Sequence, residues 1–371
     1  MTKFELKSKV HYCQNMTALA GFIRKTGPAG RILFSSEKLY RLLNLSRLTS
    51  GPAGISRRIL VASDGEKCKS FSAASEIIRS LLSLKGSKGD VITVAGGGSL
   101  TDVGAFCASI YKRGAGLSLV PTTLLAMIDA AHGGKTAVNE GGVKNCAGSF
   151  YAAGEILICP DFLTTLPESE IENGLFEALK YAALFSGSML KLIVENRAAL
   201  KSYNSRSSGL FLKIIKKCIG YKNKIVSIDP FDDGERLALN FGHTFAHAFE
   251  SASGGRIAHG AAVGLGMFAE LALAKFIYGE NAGNKSLASE LLKFIRDCSA
   301  YKKLDRLIKR DKIFEELQNF IFHDKKTRGN RTVRMPVVKR AGINSLEEIS
   351  ISRHIAPFLK SKEYMMNEWN G

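Results

Sequence analysis

The sequence predicts an α/β domain built on a mainly parallel sheet, followed by an all-α domain. Two features carry this expectation. In the first 166 residues, short apolar runs of strand length alternate with helix-periodic segments, the pattern of strands joined by covering helices. Beyond that point long helix-periodic stretches follow one another, with few β-branched runs before residues 332–338. The expected division is residues 1–166, a nucleotide-binding α/β domain, and residues 167–371, a helical domain. A length of 371 residues suits two domains. No low-complexity linker separates them, so a site between the two is the natural expectation.

The elements follow in order. Residues 31–35 (RILFS), 58–62 (RILVA), 90–95 (DVITVA) and 117–120 (LSLV) read as strands. Residues 70–84 place apolar side chains at helical spacing, with serines where an N-cap belongs. Helical periodicity then marks 168–185, 211–226, 237–251, 261–278 and 287–298, and 332–338 reads as a late hairpin or extended strand. The most apolar long stretch, 260–276, is interrupted by Glu270 and Lys275 and falls short of a bilayer span. The amino-terminal residues alternate charge and apolarity, unlike a secretory signal. Seven scattered cysteines without a C-x-x-C pair argue for reduced, buried thiols and a cytoplasmic chain.

Several regions carry chemistry. AGGGSLTD (95–102) follows the best strand and opens a helix, so Gly96, Gly97 and Gly98 let backbone N–H groups approach an anion. DGEKCK (64–69) also follows a strand end, and ligands of open α/β sheets bind at that carboxyl edge. The segment 120–151 interleaves glycines with Asp129, His132, Lys135, Asn139, Lys144 and Asn145, which suits a phosphate or carboxylate held by lysines and amides. Further on, Glu177 and Lys180 share a helical face, and Arg236, Asn240, His243 and His247 form one polar stripe if 237–251 is helical. Glu177 with two of His243, His247 and His259 would make a three-ligand catalytic zinc site, and spacing alone does not choose the pair.

Together these motifs resemble the 3-dehydroquinate synthase family. The resemblance runs from residue 64 to 326 through DGEKCK, GGGSLTD, the RG at 113–114, PTTLLAMID, GGKTAVN, KN, LTTLPESE, GLFEALKY, GERLALNFGHTFAHAFE, HGAAVG and HDKK. It implies NAD+ bound by the amino-terminal domain and zinc (or cobalt) held by Glu177, His243 and His259. It further implies NAD+ contacts from Asp64, Gly65, Glu66, Lys67, Cys68 and Lys69, then from Gly97, Gly98, Ser99, Leu100, Thr101 and Asp102. Thr122, Thr123, Lys135, Lys144, Phe162, Leu163, Thr164 and Thr165 complete that implied set. The implied substrate-facing groups are Arg113, Asp129, Lys135, Lys144, Asn145, Lys180, Lys222, Arg236, Asn240, His247 and one or both of Lys325 and Lys326. The implied reaction turns a phosphorylated seven-carbon keto acid, 3-deoxy-D-arabino-heptulosonate 7-phosphate, into 3-dehydroquinate and phosphate within a homodimer. Departures from the family pattern are Ser99–Leu100–Thr101 in the glycine turn, Ala130–Ala131–His132 after Asp129, Val143 before Lys144, and Asp232. His132 is expected to add a titratable group near the nicotinamide end.

Charge decides less than the motifs. Lys and Arg number 52 against 34 Asp and Glu, a net +18 that admits nucleic acid, an anionic membrane or anionic metabolites. No nucleic-acid signature accompanies it, so neither nucleic acid nor membrane is expected as a partner. Related sugar-phosphate cyclases and metal-dependent polyol dehydrogenases are the enzyme alternatives. Arg236, Asn240 and His247 disfavour the former, and only the latter would release NADH stoichiometrically.

Overall fold

The computed structural model describes residues 8–26, 30–49, 57–61, 65–279, 285–323 and 332–370. Eight strands come first: β1 (Lys9–Tyr12), β2 (Arg31–Ser36), β3 (Arg57–Val61), β4 (Val91–Gly96), β5 (Gly116–Pro121), β6 (Lys135–Glu140), β7 (Val143–Phe150) and β8 (Glu155–Ile158). Six of them form one sheet in the order β1-β8-β5-β4-β2-β3, every pairing parallel. The inner strands are buried on both faces and the edges β1 and β3 are partly exposed, as covering helices require. The runs expected at 31–35, 58–62, 90–95 and 117–120 are β2 to β5, except that residue 62 lies outside the described residues. The helix expected at 70–84 is Phe71–Ser83, capped by the Ser70 hydroxyl, which accepts from the Ala73 N–H at 3.2 Å. It buries Ala74, Ile77 and Leu81 on one stripe, as the periodicity predicts.

Strands β6 and β7 form an antiparallel hairpin where the sequence reads as a glycine-rich segment. Gly141 and Gly142 sit at φ 57° and 77°, the two-residue left-handed turn that matches strand twist. The glycines make the hairpin rather than an open loop.

The chain divides into two compact units, Met1–Pro167 with Ser202–Phe231 and Glu168–Lys201 with Asp232–Gly371. The helix Ser208–Ile228, expected in the helical domain, thus clusters with the sheet. It buries Phe211, Ile214, Ile215 and Cys218, and its Lys222 donates to the Asp129 carbonyl at 2.6 Å.

The second unit is helical apart from a hairpin of β9 (Thr332–Arg340) and β10 (Ile343–Ser350), the late hairpin expected near 332–338. Its centre is the helix His259–Tyr278, buried without a break from Gly260 to Ala274. At 20 residues it is long and apolar enough to cross a membrane, contrary to the expected shortfall. It is 83% buried within the protein over its apolar window, so its apolarity is that of a core helix surrounded on all sides.

The stretch 237–251 is not one helix. A short 3-10 turn, Glu235–Asn240, ends before Gly242, and the helix His243–Ala252 starts after it. Gly242 has φ 82°, and a Cβ there would stand 2.8 Å from the Met267 nitrogen and the Val263 oxygen. Close approach to the central helix forces the break, and the single polar stripe is cut in two.

At the amino edge of the sheet Asp90 joins Arg57 at 2.8 Å and accepts from the Ser87 N–H at 2.7 Å. Burial alone would raise its carboxyl pKa, but these partners outweigh burial and hold it below the ordinary carboxylate value. A depressed carboxylate contributes stability above its unfolded pKa and loses it as pH falls through the folded one. Asp90→Asn is therefore expected to cost about 1.5–3 kcal/mol at neutral pH in urea unfolding. The difference should shrink as pH drops below about 4; a gap that stays constant to pH 3 contradicts this role.

Candidate active site

Three helices of the second unit each supply one group to a cluster in which Glu177 is buried and the two histidines are partly exposed. Glu177 comes from Glu168–Phe185, His243 opens His243–Ala252, and His259 opens His259–Tyr278. Their ligand atoms all lie within 4.8 Å of one another. Glu177 Oε1 stands 3.6 Å from His243 Nε2 and 3.5 Å from His259 Nε2. Two ligands about 2.0–2.2 Å from a shared tetrahedral centre stand about 3.3–3.6 Å apart, so the spacing fits a zinc-sized cation. His247, one turn after His243, is exposed and stands outside this group.

The outer contacts set each ligand's orientation. The His243 Nδ1 lies 3.2 Å from the Phe241 carbonyl, which places the ring proton there and leaves Nε2 facing Glu177. Burial and the Lys180 cation hold His243 well below its ordinary pKa, in the neutral form a metal needs. The His259 Nδ1 lies 3.3 Å from Glu250 Oε1. Burial opposes charge on His259, but Glu177 and Glu250 outweigh it and raise its pKa to about 9, a proton that a divalent cation would displace. Lys180 Nζ is 2.5 Å from Glu177 Oε2, on the oxygen away from the histidines. Glu250 was not singled out in the sequence. Its signal is its place at the end of the histidine-bearing motif, three residues past His247 on the same helix.

Four of the segments implied for NAD+ follow carboxyl ends of strands: Gly65–Cys68 after β3, Gly98–Ile110 after β4, Thr122 and Thr123 after β5, and Pro160–Thr165 after β8, while Lys135 and Lys144 lie on the hairpin β6–β7. Gly97 caps the 13-residue helix without a side-chain bond, leaving the first-turn N–H groups for an anion. The side chains of Cys68, Leu100, Thr101, Thr122, Phe162 and Leu163 are buried, so backbone is what these positions offer. The Thr101 hydroxyl donates to the Gly98 carbonyl and closes the turn. Lys69 is buried and bridges Asp102 Oδ2 and Asn145 Oδ1, each at 2.5 Å. Burial raises the Asp102 carboxyl above its ordinary value despite that cation.

Asp129 and Lys222 form an ion pair beside the turn that leads into the hairpin bearing Lys135, Lys144 and Asn145. His132 is buried, with Nε2 2.8 Å from the Met127 carbonyl. Burial and the Lys222 cation push its pKa down to about 4. It stays neutral around pH 7, so the titratable role expected for it is lost to desolvation.

Residues 59–173 match the family model for the amino-terminal part of 3-dehydroquinate synthase, and residues 174–327 match the model for its carboxy-terminal part. The chain belongs to the 3-dehydroquinate synthase family. The 3-dehydroquinate synthase of Pyrococcus furiosus is 42% identical over 225 residues, covering 60% of this chain and 64% of that protein. That of Chlamydia caviae is 36% identical over 297 residues, 76% of each chain. The match thus spans just under two thirds of the first relative's length. Among solved structures, the 2-epi-5-epi-valiolone synthase of Streptomyces hygroscopicus with NAD+ and Zn2+ bound has a TM-score of 0.79 at 22% identity, covering 98% of both chains. That likeness shows the fold.

Not every implied family residue is gathered. Arg113 precedes β5 and stands at its amino end, about 20 Å along the strand direction from Thr122. Asp64, Lys325 and Lys326 lie outside the described residues. Arg236 is buried on the turn Glu235–Asn240, which ends at Asn240.

Two substitutions test the cluster. Glu177→Ala is expected to abolish stoichiometric zinc or cobalt in the purified protein. Glu250→Ala should weaken metal affinity about 10–100-fold in a competition titration, by freeing the His259 ring. Full metal content in the first variant, or unchanged affinity in the second, contradicts the assignment.

Proposed function

We propose that this chain converts 3-deoxy-D-arabino-heptulosonate 7-phosphate to 3-dehydroquinate and inorganic phosphate, with NAD+ and a zinc or cobalt ion as cofactors. The observation that carries this reading is the fully buried Glu177 flanked by His243 and His259, with Lys180 on its other oxygen, in the segment that matches the carboxy-terminal family model. When bound, NAD+ supplies a reversible hydride acceptor and the metal ion a Lewis acid for the alcohol being oxidised.

The protein's own residues do the rest in this reading. A substrate with both a phosphate and a carboxylate needs several cations and amide donors. By the family motifs, Lys135, Lys144, Asn145, Lys222, Lys180, Arg236, Asn240, His247 and Lys325 are assigned to it. Asp129 holds the Lys222 ammonium by a direct ion pair and so fixes the direction of its charge. Lys180, already neutralised in part by Glu177, is suited to favour negative charge on an oxygen at the cluster. His247 is exposed one helical turn from His243 and can exchange a proton at the leaving phosphate. Buried His132 is excluded as a proton carrier near neutrality by its low pKa.

A cytoplasmic homodimer belongs to the same proposal. Its cysteine chemistry supports a reducing compartment: among the described residues none of the seven cysteines is in a disulfide, six are buried, and burial pushes Cys107, Cys159 and Cys298 up to about 12.

The test is phosphate release from the seven-carbon substrate with added NAD+. Release is expected to need the metal, to stop on chelation and to return on zinc or cobalt addition, with no net absorbance change at 340 nm. No phosphate from metal-replete protein overturns the proposal. NADH accumulating without phosphate would instead indicate a polyol dehydrogenase.

A further inference from the structure

The hairpin β6–β7 is irregular at one place. Val138 pairs with Ala147 and Glu140 with Val143, so Lys144, Asn145 and Cys146 stand opposite Asn139 alone. Such bulges re-aim side chains near functional sites. Asn145, inside the bulge, has φ 51°, a left-handed conformation that Asn tolerates better than most residues and that an outside hydrogen bond further supports.

Asn139 supplies that support. Its Oδ1 accepts from the Asn145 N–H at 2.8 Å, standing in for the ladder carbonyl that the bulge removes. Its Nδ2 donates to Glu66 Oε1 at 2.6 Å, while the Ser99 hydroxyl donates to Glu66 Oε2 at 3.2 Å. Its backbone N–H donates to the Lys69 carbonyl at 2.9 Å. One side-chain amide therefore meets a carboxylate with its donor and an N–H with its acceptor. No other side chain of that size and shape carries both functions. Aspartate would set two carboxylates against each other, and alanine would leave both partners unmet.

We propose that Asn139 is a positioning residue that couples the loop Gly65–Lys69 to the bulge presenting Lys144 and Asn145. It fixes the Glu66 carboxylate on one side and the left-handed turn of Asn145 on the other. Filling the nucleotide loop and ordering the substrate-facing bulge then become one event. The proposal rests on the reading that Glu66 and Lys69 face NAD+ and that Lys144 and Asn145 face the phosphorylated substrate.

The experiment is a double-mutant cycle on the full-length, metal-loaded chain, reading the NAD+ dissociation constant and the KM for the seven-carbon phosphate. Asn139→Asp is expected to weaken both by tenfold or more. Glu66→Gln should recover most of the loss in the double variant, because an amide at 66 can donate to the new carboxylate. A general packing defect would not be rescued in this way. Asn139→Ala, at a half-buried hairpin position, serves as the second variant if the first unfolds, and should also weaken both constants. Constants within twofold of the parent in either folded Asn139 variant overturn the coupling, as does a double variant no better than Asn139→Asp. Glu66→Ala separates the two layers. If it leaves NAD+ affinity unchanged, the cofactor placement itself fails; if it weakens NAD+ while Asn139 variants do not, only the coupling fails.

Discussion

Where the helix His259–Tyr278 crosses its neighbours, there is no room for side chains at three positions. A Cβ on Gly266 would lie 2.0 Å from the Gly242 carbonyl oxygen, one on Gly264 2.5 Å from the Phe176 ring, and one on Gly260 2.1 Å from the Asn173 carbonyl oxygen. These contacts draw the central helix against Glu168–Phe185 on one side and against the start of His243–Ala252 on the other. Glu177, His243 and His259 converge because the backbones that carry them are held that closely. The same approach breaks the 235–252 stretch at Gly242 and turns His243 toward the cluster while His247 stays exposed. Burying a carboxylate completely is costly unless charge compensates it. Lys180 and His259, whose pKa is raised, provide that compensation, and a divalent cation would complete it.

The first unit solves a different problem with the same economy of parts. Four loops follow the carboxyl ends of parallel strands, and several of their side chains are buried. Lys69, Asp102 and Asn145 form one polar junction beside the glycine turn, and Glu66, Ser99 and Asn139 form a second. A ligand at this edge would meet preset donors, which lowers the ordering cost of binding.

Much of this was legible in the sequence. The strands β2 to β5 and the helix Phe71–Ser83 announce themselves by apolar period and a serine cap. The metal-type residues stand out because polar groups interrupt an apolar run. What escaped was governed by long-range contacts. The four-residue strands β1 and β8 are too short to show a period, and β6–β7 hides behind the glycines that make its turn. The helix Ser208–Ile228 has the same periodicity whichever unit it packs on. Glu250 and Asn139 meet partners nine and seventy-three residues away, His259 and Glu66, so no local pattern reveals Glu250 or shows that Asn139 contacts Glu66. The resemblance implied the ligand set that spacing could not choose, and the helix packing brings those three side chains together.

The central claim is that helix packing makes Glu177, His243 and His259 a single three-ligand metal site. Anomalous scattering from crystals of the zinc-loaded protein tests it most directly. The account predicts one strong peak within ligand distance of Glu177 Oε1, His243 Nε2 and His259 Nε2. A peak bound through His247, or none at this cluster in metal-loaded protein, would contradict it.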